Sequence, residues 1–238
     1  MKITIVMPTY NEAENLPQMA EALFSLPIDD LHLLVIDDNS RDGTGKIADD
    51  LVKKFPDRMA VIHREGKLGL GTAYIRGFRH LLAGDTDVIG QMDADFSHPP
   101  EKVGELIAAL DDCDMSVGSR YVAGGSVDRD WPIWRKGLSA FANFYARTIL
   151  RLPVGDTTGA FRLIKREALQ KLPLERIRSN GYVFQVELLH LANKMGVTFK
   201  EVPIYFKDRE LGTSKMSFKI QVEAAFRVWS LLWQYRDL

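Results

Sequence analysis

The stretch Asp87-Val88-Ile89-Gly90-Gln91-Met92-Asp93-Ala94-Asp95 decides how this chain is expected to fold. A run so short and apolar reads as a strand of a parallel sheet, buried on both faces, and it ends in two acids spaced two apart. At a strand end such a pair points the same way, so both carboxylates can reach one hard cation that a nucleotide diphosphate also ligates. A lone Asp-x-Asp also arises in surface turns, where Asp bonds its own backbone. Here the apolar strand carries the pair towards the interior, where carboxylates are costly unless a cation compensates.

The pattern repeats upstream. Ile3 to Met7, Leu31 to Ile36 and Met59 to His63 are further short apolar runs, and amphipathic segments lie between them. Leu16, Met19, Ala20, Leu23 and Phe24 fall at helical spacing behind Asn15 as N-cap and Pro17 in the first turn. Ile47, Leu51 and Phe55 follow the turn Ser40-Arg41-Asp42-Gly43-Thr44 in the same way. This alternation predicts a doubly wound α/β sheet, in which ligands bind beyond the carboxyl ends of the strands. The unusual residues sit there: Pro8-Thr9-Tyr10-Asn11-Glu12, Asp37-Asp38-Asn39-Ser40 and Asp93-Ala94-Asp95. Alone, Tyr10 reads as a half-buried packing ring and Glu12 as a helix-start acid. Three such loops facing one crevice point to a nucleotide site. The glycines of Gly66-Lys67-Leu68-Gly69-Leu70-Gly71-Thr72-Ala73 lack the Gly-Lys-Ser/Thr ending of a phosphate loop, and close helix approach is their expected role.

Composition sets the frame. The 238 residues are 46% hydrophobic and 26% charged, enough for one large domain or two small ones, and nothing marks an internal linker. A net charge of -1 argues against a protein held to nucleic acid by bulk charge, so no nucleic-acid partner is expected. Cys113 is the only cysteine, which excludes an intramolecular disulfide and suits core filler in a reducing compartment. The apolar run after Lys2 is too short and too soon broken by Thr9, Asn11 and Glu12 to be a signal peptide. No apolar run approaches the roughly 18 to 20 residues that span a bilayer. The second half is more cationic, with Gly118-Ser119-Arg120-Tyr121, Arg135-Lys136 opening a helix that carries Ser139, Asn143 and Arg147, and Arg209-Glu210-Leu211-Gly212-Thr213-Ser214-Lys215. A site that holds a divalent cation and still needs Arg and Lys suggests highly anionic ligands, such as a diphosphate plus a second phosphate.

Taken together, Val35 to Thr44, Met92 to Pro100, Gly118 to Tyr121, Asp156-Thr157-Thr158-Gly159-Ala160-Phe161-Arg162 and Arg209-x-x-Gly212-x-Ser214-Lys215 resemble polyprenol (dolichol) monophosphate mannose synthases. These are family 2 inverting glycosyltransferases with a nucleotide-diphosphosugar transferase (GT-A, Rossmann-like) fold and a mainly parallel central sheet. The resemblance runs from the first strand to about Phe218. It implies transfer of mannose from GDP-mannose to a polyprenyl or dolichyl phosphate, giving a β-linked lipid phosphomannose. Pro8, Tyr10, Glu12, Ile36 and Asp38 would line the guanosine pocket, with Asp37 beside them. Asp93 and Asp95, joined by Ala94, would hold Mg²⁺ or Mn²⁺ against the diphosphate, with Ser97 near the metal. Arg120, Arg135, Arg209 and Lys215 would bind donor and acceptor phosphates. Related enzymes that use UDP-glucose share the acidic motif and the fold. A hydroxyl-acceptor glycosyltransferase and a non-catalytic nucleotide-sugar binding module are the other readings.

The chemistry needs no side-chain base, because an acceptor phosphate is already ionised at neutral pH. His98, before Pro99-Pro100, is therefore expected to serve the turn, and Gln185 and Glu187 to orient substrate or hold structure. The expected domains are 1–216, catalytic, and 217–238, an amphipathic helix. In that helix Phe218, Val222, Ala225, Phe226, Trp229, Leu232 and Trp233 make one face, and Lys219, Glu223, Arg227, Ser230 and Gln234 the other. Docking on the core and lying in a membrane interface both satisfy the apolar face. Trp131-Pro132-Ile133-Trp134 with Leu138, Phe141 and Tyr145, beside Arg135, is a candidate lipid groove. The resemblance thus implies a cytoplasmic enzyme peripheral to a membrane surface, or one recruited by a small membrane-anchoring partner.

Overall fold

The computed structural model describes residues 1–208 and 218–238, without the side chains of 218–224. Along the chain run β1 (Ile3–Thr9), α1 (Asn15–Phe24), β2 (Leu31–Asp37), α2 (Thr44–Lys54), β3 (Met59–His63), α3 (Leu70–Leu82) and β4 (Val88–Gln91). There follow α4 (Val103–Ala109), β5 (Met115–Ser119), β6 (Ser126–Val127), α5 (Ile133–Leu150), β7 (Arg162–Lys165) and α6 (Arg166–Gln170). The chain ends with α7 (Gly181–Lys194), β8 (Phe199–Pro203), β9 (Tyr205–Phe206) and α8 (Phe218–Gln234). The main sheet has seven strands in the order β3-β2-β1-β4-β7-β5-β8. Its pairs are parallel except where β7 lies antiparallel between β4 and β5.

The continuous apolar runs follow from burial on both faces. In β1 and β2, Val6, Leu34 and Ile36 enter the core under α3 and α7, while Ile5, Met7, Leu33 and Val35 enter the one under α1, α2 and α4. Helix α3 lies close to the sheet because it carries glycines. A Cβ at Gly77 would overlap Val6, and one at Gly71 would lie 2.7 Å from the Ser179 carbonyl oxygen. Close approach is thus what these glycines provide. Asn15 is not the N-cap expected of it; it is the first residue of α1, and its amide donates to Glu12 Oε2 at 2.8 Å.

Two placements were open to helix α8, and the structure turns much of the predicted apolar face outward. Val228, Leu231 and Tyr235 are buried, whereas Phe226, Trp229 and Trp233 are exposed. Arg227, Gln234 and Tyr235 turn instead towards the fully buried Glu187 of α7. Glu187 Oε1 accepts from Gln234 Nε2 at 2.7 Å and from Tyr235 Oη at 2.8 Å, and Oε2 from the Ser179 N–H at 2.7 Å. Arg227 Nε donates to Ser179 Oγ at 3.1 Å. Glu187 therefore holds structure, and a single buried carboxylate ties α8 to α7.

His190, one turn farther along α7, is buried against the Tyr235 ring, with centroids 6.0 Å apart. Burial, with Lys194 adding to it, pushes the imidazole down to about 4. An unfolded His titrates near about 6.5, so acid protonates the unfolded chain first and stability falls between about pH 6.5 and 4. His190→Leu is expected to flatten that part of the acid slope of Tm between pH 7 and 4. A Tm that falls in parallel with the parent over that window would contradict the assignment.

Candidate active site

Because β1 pairs with both β2 and β4, the loops after these three strands emerge side by side. After β4 the Asp93 N–H donates to His98 Nδ1 at 3.0 Å, which bends residues 93–98 back on themselves. Nδ1 is an acceptor there, so the ring proton sits on Nε2. The ring is buried and stacks on Phe161 with centroids 5.3 Å apart, and burial lowers its pKa. His98 serves the turn, as expected. Phe96 adopts φ of 58°, a strained left-handed conformation for a bulky residue, in the middle of this bend.

The strained bend lets Ser97 reach back. Its N–H and hydroxyl both donate to Asp95 Oδ1, at 3.2 and 2.6 Å, and both residues are buried. The Ser97 hydroxyl thus orients the carboxylate on which it was expected to act as a neighbouring ligand. Asp93 Oδ1 accepts from Tyr74 Oη at 3.3 Å. Burial, and then Asp93 itself, push this phenol well above its ordinary range, so it stays protonated. Ala94 between them is buried. Two carboxylates and a hydroxyl are hard oxygen donors of the kind Mg²⁺ and Mn²⁺ take. Among the described residues no group of three or more His, Cys, Asp and Glu could hold a metal. The donor set therefore fits a cation that keeps oxygen ligands from outside the protein, as one carried in with a diphosphate does.

Beside it, the ends of β1 and β2 carry a cluster of polar side chains. Thr9 Oγ1 and Ser40 Oγ donate to Asp37 Oδ1 at 3.2 and 2.6 Å, so Asp37 shapes the turn. Asn11 and Asn39 take φ of 61° and 56°, which Asn tolerates better than most residues. Asp38 pairs with Arg64 at 2.8 Å, both side chains buried. Burial raises the Asp38 carboxyl, and Arg64 offsets this only in part. Lys67 Nζ lies 3.9 Å from the Tyr10 ring centroid. Pro8 pairs with Ile36 in the β1–β2 register, and Ile36 is wholly buried, with its side chain in the core. The Glu12 N–H donates to Thr44 Oγ1 at 2.9 Å, which joins the first loop to the start of α2.

Two arginines stand on the other side. Arg120 follows β5 and forms a fork with Asp156, Nε to Oδ2 and Nη2 to Oδ1 both 2.6 Å, with Nη2 also 2.7 Å from Thr158 Oγ1. Burial alone would raise the Asp156 carboxyl; Arg120 and the N–H groups of Arg120 and Gly159 hold it below its ordinary range. Asn143 of α5 secures the same loop, its Oδ1 accepting from the Thr157 N–H at 2.7 Å. Arg135 pairs with Asp208 through Nη1 at 2.9 Å and Nη2 at 3.2 Å, and lies 3.8 Å from the ring centroid of buried Trp131. Arg209 and Lys215 lie outside the described residues. Sequence reasoning assigned no role to Tyr74 or Asp156. Asp156 stood in a quoted motif, but nothing local links it to a partner 36 positions away.

Residues 4–173 match the family described as Glycosyl transferase family 2. The polyprenol monophosphomannose synthase of Mycolicibacterium smegmatis is 45% identical over 225 residues, covering 94% of this chain and 84% of that protein. The undecaprenyl-phosphate mannosyltransferase of Micrococcus luteus is 41% identical over 241 residues, covering 100% and 98%. Among solved structures, mannosyl-3-phosphoglycerate synthase from Rubrobacter xylanophilus superposes with a TM-score of 0.72 at 16% identity, covering 100% of this chain and 76% of the other. Glucosyl-3-phosphoglycerate synthase from Mycobacterium tuberculosis, in complex with Mn²⁺, UDP and glucosyl-3-phosphoglycerate, gives 0.65 at 19% identity, covering 98% and 79%. These structural likenesses are of fold, and they bear out the expected GT-A architecture with a mainly parallel sheet.

Proposed function

We propose, for a chain that belongs to glycosyl transferase family 2, that it transfers mannose from GDP-mannose to a polyprenyl phosphate with inversion. The observation that carries this reading is the convergence of one acidic pair with a polar cluster on one side and two paired arginines on the other. In it, Pro8, Tyr10, Glu12, Ile36 and Asp38 hold the guanosine, and Asp37 supports their turn. Asp93 and Asp95 would hold Mg²⁺ or Mn²⁺, which would neutralise the charge that develops on departing GDP. Arg120 has Nε and Nη2 committed to Asp156 and Thr158, so Nη1 is the edge it offers to phosphate. Arg135 adds a second cation, and the resemblance assigns Arg209 and Lys215, outside the described residues, to the same phosphates. The acceptor phosphate attacks as an anion, so the residues orient it and shield charge, and none removes a proton.

A lipid acceptor requires a membrane-facing surface. Helices α5 and α8 pack together, with Tyr145 Oη donating to the Ala225 carbonyl at 3.1 Å. On α5, Ile133, Trp134, Phe141 and Phe144 are exposed, and on α8, Phe226, Trp229 and Trp233. No helix among the described residues is long and apolar enough to cross a membrane. In this reading the face lies in the membrane interface, where Trp is favoured, and residues 217–238 belong to it as much as to the catalytic domain.

The test of the activity is transfer of labelled sugar from GDP-mannose, with UDP-glucose in parallel, to a polyprenyl phosphate in Mg²⁺ or in EDTA. Metal-dependent lipid-linked mannose is expected; GDP binding without lipid product from either donor would reassign the acceptor. Replacing Trp134, Phe144 and Trp233 together by Ala should leave Tm within a few degrees and abolish co-sedimentation with phospholipid vesicles. Vesicle binding equal to the parent would place the membrane surface elsewhere.

A further inference from the structure

Each acid of the pair has one hydroxyl on its Oδ1: Ser97 on Asp95 and Tyr74 on Asp93. Ser97 is local, two residues away in the same bend. Tyr74 comes from the middle of α3, and the chain is built around bringing it there. The ring is fully buried and lies parallel to Phe184, with centroids 5.7 Å apart and planes 2° apart, and against Phe78 at 6.0 Å. Phe184 fits because Gly71 has no side chain; a Cβ there would lie 2.8 Å from its ring. A phenylalanine would make the same ring contacts. The hydroxyl adds a polar group to a dry interior, which is costly unless it finds a partner. That partner is Asp93, whose N–H is already held by His98.

We propose that Tyr74 is a positioning residue for the cation site: its hydroxyl, bonded to Asp93 Oδ1, fixes the orientation of the carboxylate that meets the cation. Groups that bond a metal ligand from behind set its orientation and commonly change metal affinity about 10- to 100-fold when removed. The inference rests on the reading of Asp93 and Asp95 as the cation's ligands.

The experiment is a titration of Mn²⁺ by electron paramagnetic resonance, in the presence of GDP, on the parent, Tyr74→Phe and Asp95→Asn. Tyr74→Phe is expected to weaken Mn²⁺ binding about 10-fold. Its Tm should stay within a few degrees of the parent, and KM for polyprenyl phosphate at saturating Mn²⁺ should not change. Parental Mn²⁺ affinity in Tyr74→Phe, with binding lost in Asp95→Asn, overturns the role of Tyr74 alone. Parental affinity in both variants overturns the cation site itself.

Discussion

Asp95→Asn is expected to lower turnover by at least about 100-fold while the protein remains folded. The substitution separates charge from shape. Asp95 Oδ1 accepts from the Ser97 N–H and hydroxyl, and the Oδ1 of Asn can accept the same two bonds, so the bend through Phe96 survives. What is lost is the anion, and a neutral amide is a poor ligand for a hard dication. In the proposed reaction, the charge on the departing nucleotide would then be met by cationic side chains alone. Steady-state transfer with a parallel melting curve measures both effects. A folded variant with parental turnover would remove the acidic pair from the chemistry.

Asp156→Ala is expected to be the most destabilising of the substitutions considered, by about 3–5 kcal/mol. Asp156 is completely buried, and it receives Nε and Nη2 of Arg120, the Arg120 N–H and the Gly159 N–H. Removing it leaves a guanidinium with little access to water and no carboxylate, the costly half of a buried pair. For a chain of this length the loss corresponds to a fall in Tm of roughly 10 °C. The double variant Arg120→Met/Asp156→Ala should recover part of it, since no buried charge remains unmatched. Denaturant unfolding of the four proteins of this cycle gives the coupling directly. Independent, additive losses would mean that the pair is not the keystone of the 156–159 loop.

The order of the early strands and helices was legible because it is carried by local periodicity. Ile3 to Met7 and Leu31 to Ile36 are apolar at all but one position each, Thr4 and His32, and the structure places their apolar side chains in two cores. The antiparallel β7 carried no such signal, since Arg162-Leu163-Ile164-Lys165 is four residues with charged ends. Helix α8 shows the limit of periodicity. Its apolar face was legible as a face, but which way that face turns was not, because Glu187 captures Gln234 and Tyr235 and leaves Phe226, Trp229 and Trp233 outside. Leaving a buried carboxylate without hydrogen-bond partners costs more than leaving aromatic rings exposed at the surface.

The sequence by itself determined the residue types at the strand ends, and with them the kind of site: oxygen donors at Asp93 and Asp95, polar loops after β1 and β2, and cations in the second half. Only the tertiary structure decided which of these groups are committed and which remain for a ligand. Arg120 is bound by Asp156 across 36 positions, Arg135 by Asp208 across 73, and Asp93 is met by Tyr74 across 19. Local pattern encodes the direction in which a side chain leaves its element, over a few residues at most. Partners distant in sequence are chosen when helices and strands close on one another, and in a close-packed interior that choice depends on every neighbouring volume at once.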